Sequence, residues 1–241
     1  MSPENREPTP IAARNTQGIM QHAATWWDAL IHPEQAGRLV LEGRRLSAFD
    51  QSLAMGVAVL YGIYGLSMGL FLGVIPALIS GLKLPLLYVF TLAVCFPAFY
   101  AINSLWGSRL DVRQCIRLLL VATSANAAAL ASYAPFSFFF TLTTSRQGYT
   151  FLVLMHVIVF GASAVASLAV IALVFRATAA HAGRRLQPHV VLAWGVLYAF
   201  VGTQMSWVLR PWVGSLSEPY AILRPIGGSF VEALWRLLGG G

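Results

Sequence analysis

Five stretches of this chain are long and apolar enough to cross a bilayer, which takes about 20 helical residues at ~1.5 Å of rise each. They run roughly from Gln51 to Gly73, Leu84 to Trp106, Gln114 to Ala134, Thr150 to Phe175 and Val190 to Leu209. Composition explains why they cannot all fold into a water-soluble core. Charged residues make up only 10% of the 241, hydrophobic residues make up 57%, and the mean hydropathy is +0.68. A soluble domain carries roughly 25% charged residues to keep its surface hydrated. Lipid must therefore replace water around most of this chain. The expected fold is all-α: a polytopic helical membrane protein of about five transmembrane helices, with amphipathic helices at both ends.

Four regions follow from the polarity profile. Residues 1–17 are polar and proline-bearing, which predicts a disordered cytoplasmic tail. Residues 18–49 form a cytoplasmic amphipathic segment, in which Ile19, Met20, Ala23, Trp26, Trp27 and Leu30 fall near helical spacing. That segment suits either the headgroup layer, where indole rings sit half wet, or the end of the bundle itself. Residues 50–210 hold the five-helix bundle. Residues 211–241 form an extracytoplasmic segment whose Phe230, Leu234, Leu237 and Leu238 share one face of an interfacial helix. The first forty residues lack the apolar core of a signal peptide, so no cleavage is expected.

Orientation follows from the basic residues, fifteen arginines and Lys83. Nine arginines (Arg38, Arg44, Arg45, Arg109, Arg113, Arg117, Arg176, Arg184 and Arg185) flank one side of a five-span arrangement. Lys83, Arg146, Arg210, Arg224 and Arg236 fall on the other. Positive loops stay cytoplasmic, which predicts an N-terminus inside and a C-terminus outside. The net charge of +7 does not imply nucleic acid, because the arginines are scattered and no basic face carries interleaved aromatics.

Inside the spans, Gly65, Gly69 and Gly73 form a GxxxGxxxG series, and "GASAVASLA" from Gly161 to Ala169 repeats the small-residue pattern. Small residues four apart let another backbone approach, either within the bundle or in a second copy of the chain. Pro97 predicts a kink in the second span. Pro76 follows the first span, and the 74–83 segment reads as a short outer helix or a dip into lipid. Pro135 ends the third span before an aromatic shelf, Phe136 and Phe138 to Phe140, of the kind that anchors at an interface.

Asn103, Asn126 and Gln204 are the candidate intramembrane polar set, serving interhelical hydrogen bonds or a polar solute path. Asp50 and Asp111 lie at span ends, so no carboxylate of the proton-relay kind falls within a span. His156 is the one histidine clearly inside a span, which leaves a haem without a second histidine ligand. Cys95 and Cys115 form no CxxC pair, and no HExxH, GxSxG or P-loop is present. No catalytic, cofactor-binding or metal residue is assigned, and no cofactor is expected.

"LRPWVGS" and "LRPIGGS" repeat near the C-terminus around Arg210 and Arg224. Each arginine either anchors a stopped helix at the headgroups or joins its twin to bind a phosphate or carboxylate of a lipid or partner.

The stretches "ALISGLKLPLLYVFTLAVCFPAFYAINSLWGSRLDVRQ" and "LYAFVGTQMSWVLRPWVGS" resemble an uncharacterised family of bacterial multi-spanning membrane proteins, in which "LKLPLL", "FPAFYAIN" and "LRPWVG" recur. The plan of spans is also similar to that of the Yip-type membrane proteins. Neither resemblance implies a catalytic residue. The expected role is a non-enzymatic membrane subunit or anchor, in contact with lipids and with other subunits or itself. The alternatives are a small transporter or channel for a polar or anionic solute and, third, a lipid-acting protein at the outer surface.

Overall fold

The apolar stretches fold as helices because a backbone in lipid has no water to bond and must satisfy its own N–H and C=O groups. A computed structural model describes residues 27, 31–41, 48–105, 110–181 and 188–209, and among them there are seven α-helices and no strand. These are α1 (Pro33–Leu41), α2 (Ala48–Gly69), α3 (Val74–Leu105), α4 (Val112–Ser132), α5 (Ala134–Thr143), α6 (Tyr149–His181) and α7 (Pro188–Val208). Five of them, α2, α3, α4, α6 and α7, are long and apolar enough to cross a membrane. The protein is a polytopic helical membrane protein. The polar tail at 1–17, Trp26, both arginines of the LRP elements and the C-terminal segment 211–241 lie outside the described residues.

α2 and α3 make a hairpin with almost no linker. A 3-10 turn, Leu70–Leu72, closes α2, and Gly73 follows at φ 128°, the sole positive φ among the described residues. A side chain there would be strained, so glycine is what permits the reversal. Val74 then starts α3, which continues through Pro85 and Pro97 to Leu105. The 74–83 segment is thus neither a separate surface helix nor a dip; it is the first part of one long span. Pro76 sits in the first turn, where no intrahelical N–H bond is lost.

α4 starts on a capping box: the Gln114 amide donates to Asp111 Oδ1 at 2.7 Å and the Asp111 amide to Gln114 Oε1 at 3.0 Å. It ends at Ser132, and after a single residue, Tyr133, α5 begins with Pro135 in its first turn. Pro135 therefore starts a helix where the sequence reading has it only ending one.

The packing falls into two layers, which we name by the residues at their ends. At the Asp50 end, Leu53, Phe99, Leu118, Val174 and Trp194 form a buried cluster joined by Ala36 and Val40 of α1. At the Gly73 end, Tyr61, Tyr64, Met68, Leu84, Tyr88 and Leu130 form the second. α3 and α6, with 32 and 33 residues, extend about 48 and 50 Å, well beyond a ~30 Å hydrocarbon layer. α1 packs against the part of α6 that lies at the Asp50 end.

Candidate functional site

The strongest polar construction is a buried ion pair that the sequence reading leaves unmatched. Arg117 lies on the second turn of α4 and Asp50 on the first turn of α2, and each is only 5% exposed. The Arg117 guanidinium meets the carboxylate with two parallel bonds, Nε to Oδ1 at 2.9 Å and Nη2 to Oδ2 at 3.0 Å. This fork-on-fork geometry suits arginine and not lysine. Arg117 Nη1 also donates to the Leu39 carbonyl at 3.3 Å, and Gln114 Nε2 donates to the Leu41 carbonyl at 3.1 Å. Those carbonyls belong to the last turn of α1, where helix C=O groups lack intrahelical donors and the dipole favours a cation.

One guanidinium thus joins three helices. The seat of α1 is also close: a methyl group placed on Gly37 would lie 2.9 Å from the Thr178 amide nitrogen and 3.0 Å from Ala177 Cβ. Both sequence signals for this clamp are present. Arg117 sits inside an apolar run, where a cation needs a partner, and Asp50 is the acid beside the neighbouring run. Their pairing is tertiary, across 67 positions of sequence.

Toward the Gly73 end lies a seam of neutral polar groups. The Tyr61 hydroxyl donates to Asn126 Oδ1 at 2.9 Å, and Asn126 Nδ2 donates to Ser167 Oγ at 3.3 Å, linking α2, α4 and α6. Tyr61 also stacks on Tyr88 of α3, with ring centroids 3.7 Å apart. Further along, Tyr64 and His156 Nδ1 share a 2.8 Å hydrogen bond, while the buried His156 Nε2 has no partner among the described residues. Ser124 Oγ is a second buried atom with none. An unmatched buried polar atom costs about 1–3 kcal/mol.

The predicted polar set does not converge. Asn126 belongs to the seam. Asn103 is fully buried but donates to Cys115 Sγ at 3.4 Å, and Cys115 is about 16 Å along α4 from Asn126. Gln204 is half-buried on α7 and forms no hydrogen bond among the described residues.

The glycine series is divided as well. A methyl on Gly65 would lie 2.5 Å from the Ser80 carbonyl oxygen and 2.9 Å from Gly81 Cα; on Gly69 it would strike the Pro76 carbonyl oxygen and lie 2.6 Å from Ala77 Cα. These two glycines bring the α2 and α3 backbones together within one chain. Gly73 is off that face, in the turn, with open space around its α-carbon. The other small-residue stretch behaves differently. Gly161, Ala162, Val165, Ala166 and Ala169 of α6 are exposed, and nothing described lies within 4 Å of a methyl placed on Gly161.

Cys95 and Cys115 are buried free thiols, and no three His, Cys, Asp or Glu side chains converge among the described residues. At the Gly73 end, Lys83 Nζ donates to the Leu209 carbonyl at 3.1 Å and so caps the end of α7.

No protein-family model matches this chain, and no curated protein or solved structure is similar to it.

Proposed function

We propose that the protein is a non-enzymatic membrane subunit or anchor that associates through the outward face of α6 with a transmembrane helix of another subunit or of a second copy. The observation that carries this reading is the exposed run Gly161, Ala162, Val165, Ala166 and Ala169. Lipid tails are as apolar as leucine, so helices associate in lipid by close packing, and small residues are what allow it. Of α4's apolar stretch 61% is buried, against 17% for α6 and 11% for α7. Fewer residues of the last two spans than of α4 are enclosed by the bundle.

In this reading the Asp50 end faces the cytoplasm of a bacterium, the C-terminus lies outside, and the protein sits in the inner membrane. The nine arginines that the sequence puts on one side of a five-span plan support that orientation. The clamp on α1 then fixes that helix against the Asp50 end of the bundle, which suits an anchor.

Isolation from native membranes in mild detergent tests the reading. A discrete complex is expected, lost when Ala162 and Ala166 are both changed to Leu while the bundle stays folded. A monodisperse monomer from unaltered protein would contradict it.

The Tyr61–Asn126–Ser167 seam favours a second reading, a path for a small polar solute. Flux into proteoliposomes that is abolished by Asn126→Leu would favour it over the first.

A further inference from the structure

α5 is built inside out for a helix in water. Its buried side carries Ala134, Ser137 and Thr141, and its exposed side carries Phe136 (64% exposed), Phe139 (61%) and Leu142 (69%). A surface helix would turn its hydroxyls outward and its aromatics to the core. The one hydroxyl on α5's exposed side that the structure pairs, Thr143, donates to its own helix at Phe139 O over 2.8 Å. That is how a hydroxyl is satisfied where water is absent.

Of the buried hydroxyls, Ser137 is paired and Thr141 Oγ1 has no partner among the described residues, while the backbone at both ends of α5 is bonded within the chain. Across the α4–α5 break, the Tyr133 amide donates to Leu130 O at 3.0 Å and the Ser137 amide to Tyr133 O at 3.0 Å, and Pro135 has no N–H to satisfy. At the other end the Thr144 amide donates to Phe140 O at 2.9 Å.

Depth is set by side-chain register. Ser137 Oγ and Ser67 Oγ are 2.7 Å apart, and Ser67 donates to Tyr64 O at 2.6 Å, so Ser137 supplies the proton between the two hydroxyls. Ser67 lies about 9 Å along α2 from the Gly73 turn. α5 is therefore packed beside a span, below its end. Its aromatic side also runs on into the exposed start of α6, since Phe140 meets Phe151 edge to face at 5.2 Å and Phe151 is itself exposed.

We infer that α5 is a half-length helix seated in the leaflet at the Gly73 end, with Phe136, Phe139 and Leu142 against lipid acyl chains. The face is a lipid-contact surface and not a dock for a soluble protein. Such an insert needs its hydroxyl side and its backbone shielded by protein, and both conditions hold here.

The test uses the unaltered full-length chain, reconstituted in phosphatidylethanolamine–phosphatidylglycerol vesicles with a trace of phospholipid bearing a diazirine within its acyl chain. After illumination, peptides are mapped by mass spectrometry. Label on Phe136, Phe139 or Leu142 is expected at a yield comparable to that on Val89 and Phe90, exposed mid-span residues of α3, and severalfold above that on Gln147 in the turn after α5. Labelling of the α5 face no stronger than that of Gln147 would overturn the inference, whether water or another protein covers it.

Discussion

Two helices of this protein carry small residues at four-residue spacing, and the fold uses them in opposite ways. On α2, Gly65 and Gly69 lie against the backbone of α3 so closely that a methyl group would strike it. On α6, Gly161, Ala162, Ala166 and Ala169 face outward, away from every described helix. The same motif therefore serves as an internal weld in one place and as an open face in the other. Local sequence does not separate the two roles. The tight turn at Gly73 does: it folds α3 directly back on α2, and its proximity commits the α2 face to the chain itself.

This contrast can be broken or sharpened by substitution, with each variant scored for both folding and association. The largest effect is expected at the clamp that holds the closed side of the structure together. Arg117→Leu leaves the Asp50 carboxylate buried without its guanidinium, and removing one partner of a buried pair costs about 3–5 kcal/mol. Reduced thermal stability in detergent and increased proteolysis around α1 should accompany it. An unchanged melting temperature would mean that the pair is not a fastening. Gly69→Leu comes next, since overpacking a fixed backbone contact costs about 1–3 kcal/mol or more. It should lower the melting temperature or prevent accumulation of the protein; a variant as stable as the unaltered chain would show that α2 and α3 are not in contact there.

Asn126→Leu removes two interhelical bonds, each worth about 0.6 kcal/mol on average within membranes. Its expected signature is a modest loss of stability with assembly intact. Ala166→Leu should have the smallest effect on folding, near zero, because the added side chain enters open surroundings, yet it should abolish co-isolation of a partner. If Ala166→Leu instead lowers stability as Gly69→Leu does, the outward face is in truth a second weld.

Much of this architecture is legible in the sequence, because lipid imposes a length and a polarity on every span. The five apolar stretches match α2, α3, α4, α6 and α7, with the largest displacement at the start of α3, Val74 in place of Leu84. Pro76 and Pro135 are the instructive cases. A proline in the first turn of a helix breaks no bond, and one inside a membrane span is tolerated when neighbours cover the freed carbonyl. Punctuation therefore falls at Gly73, the expected end of the first span, and at Tyr133, which sequence alone does not single out. The candidate site is less legible. Asn126 finds Tyr61 and Ser167, but Asn103 and Gln204 lie elsewhere, since helical register fixes depth only after the helices are paired. The pairing of Arg117 with Asp50 depends on the same tertiary arrangement, although an arginine inside an apolar run already demands an acid.

The most direct test of the outward face is photo-crosslinking in native membranes from Val165, which is 69% exposed at the centre of the α6 stripe. With benzoylphenylalanine at that position, the account predicts a discrete protein adduct larger than the monomer, absent when the probe replaces Val89 on α3. Adducts to lipid alone from position 165, in the membranes where the protein is normally made, would contradict it.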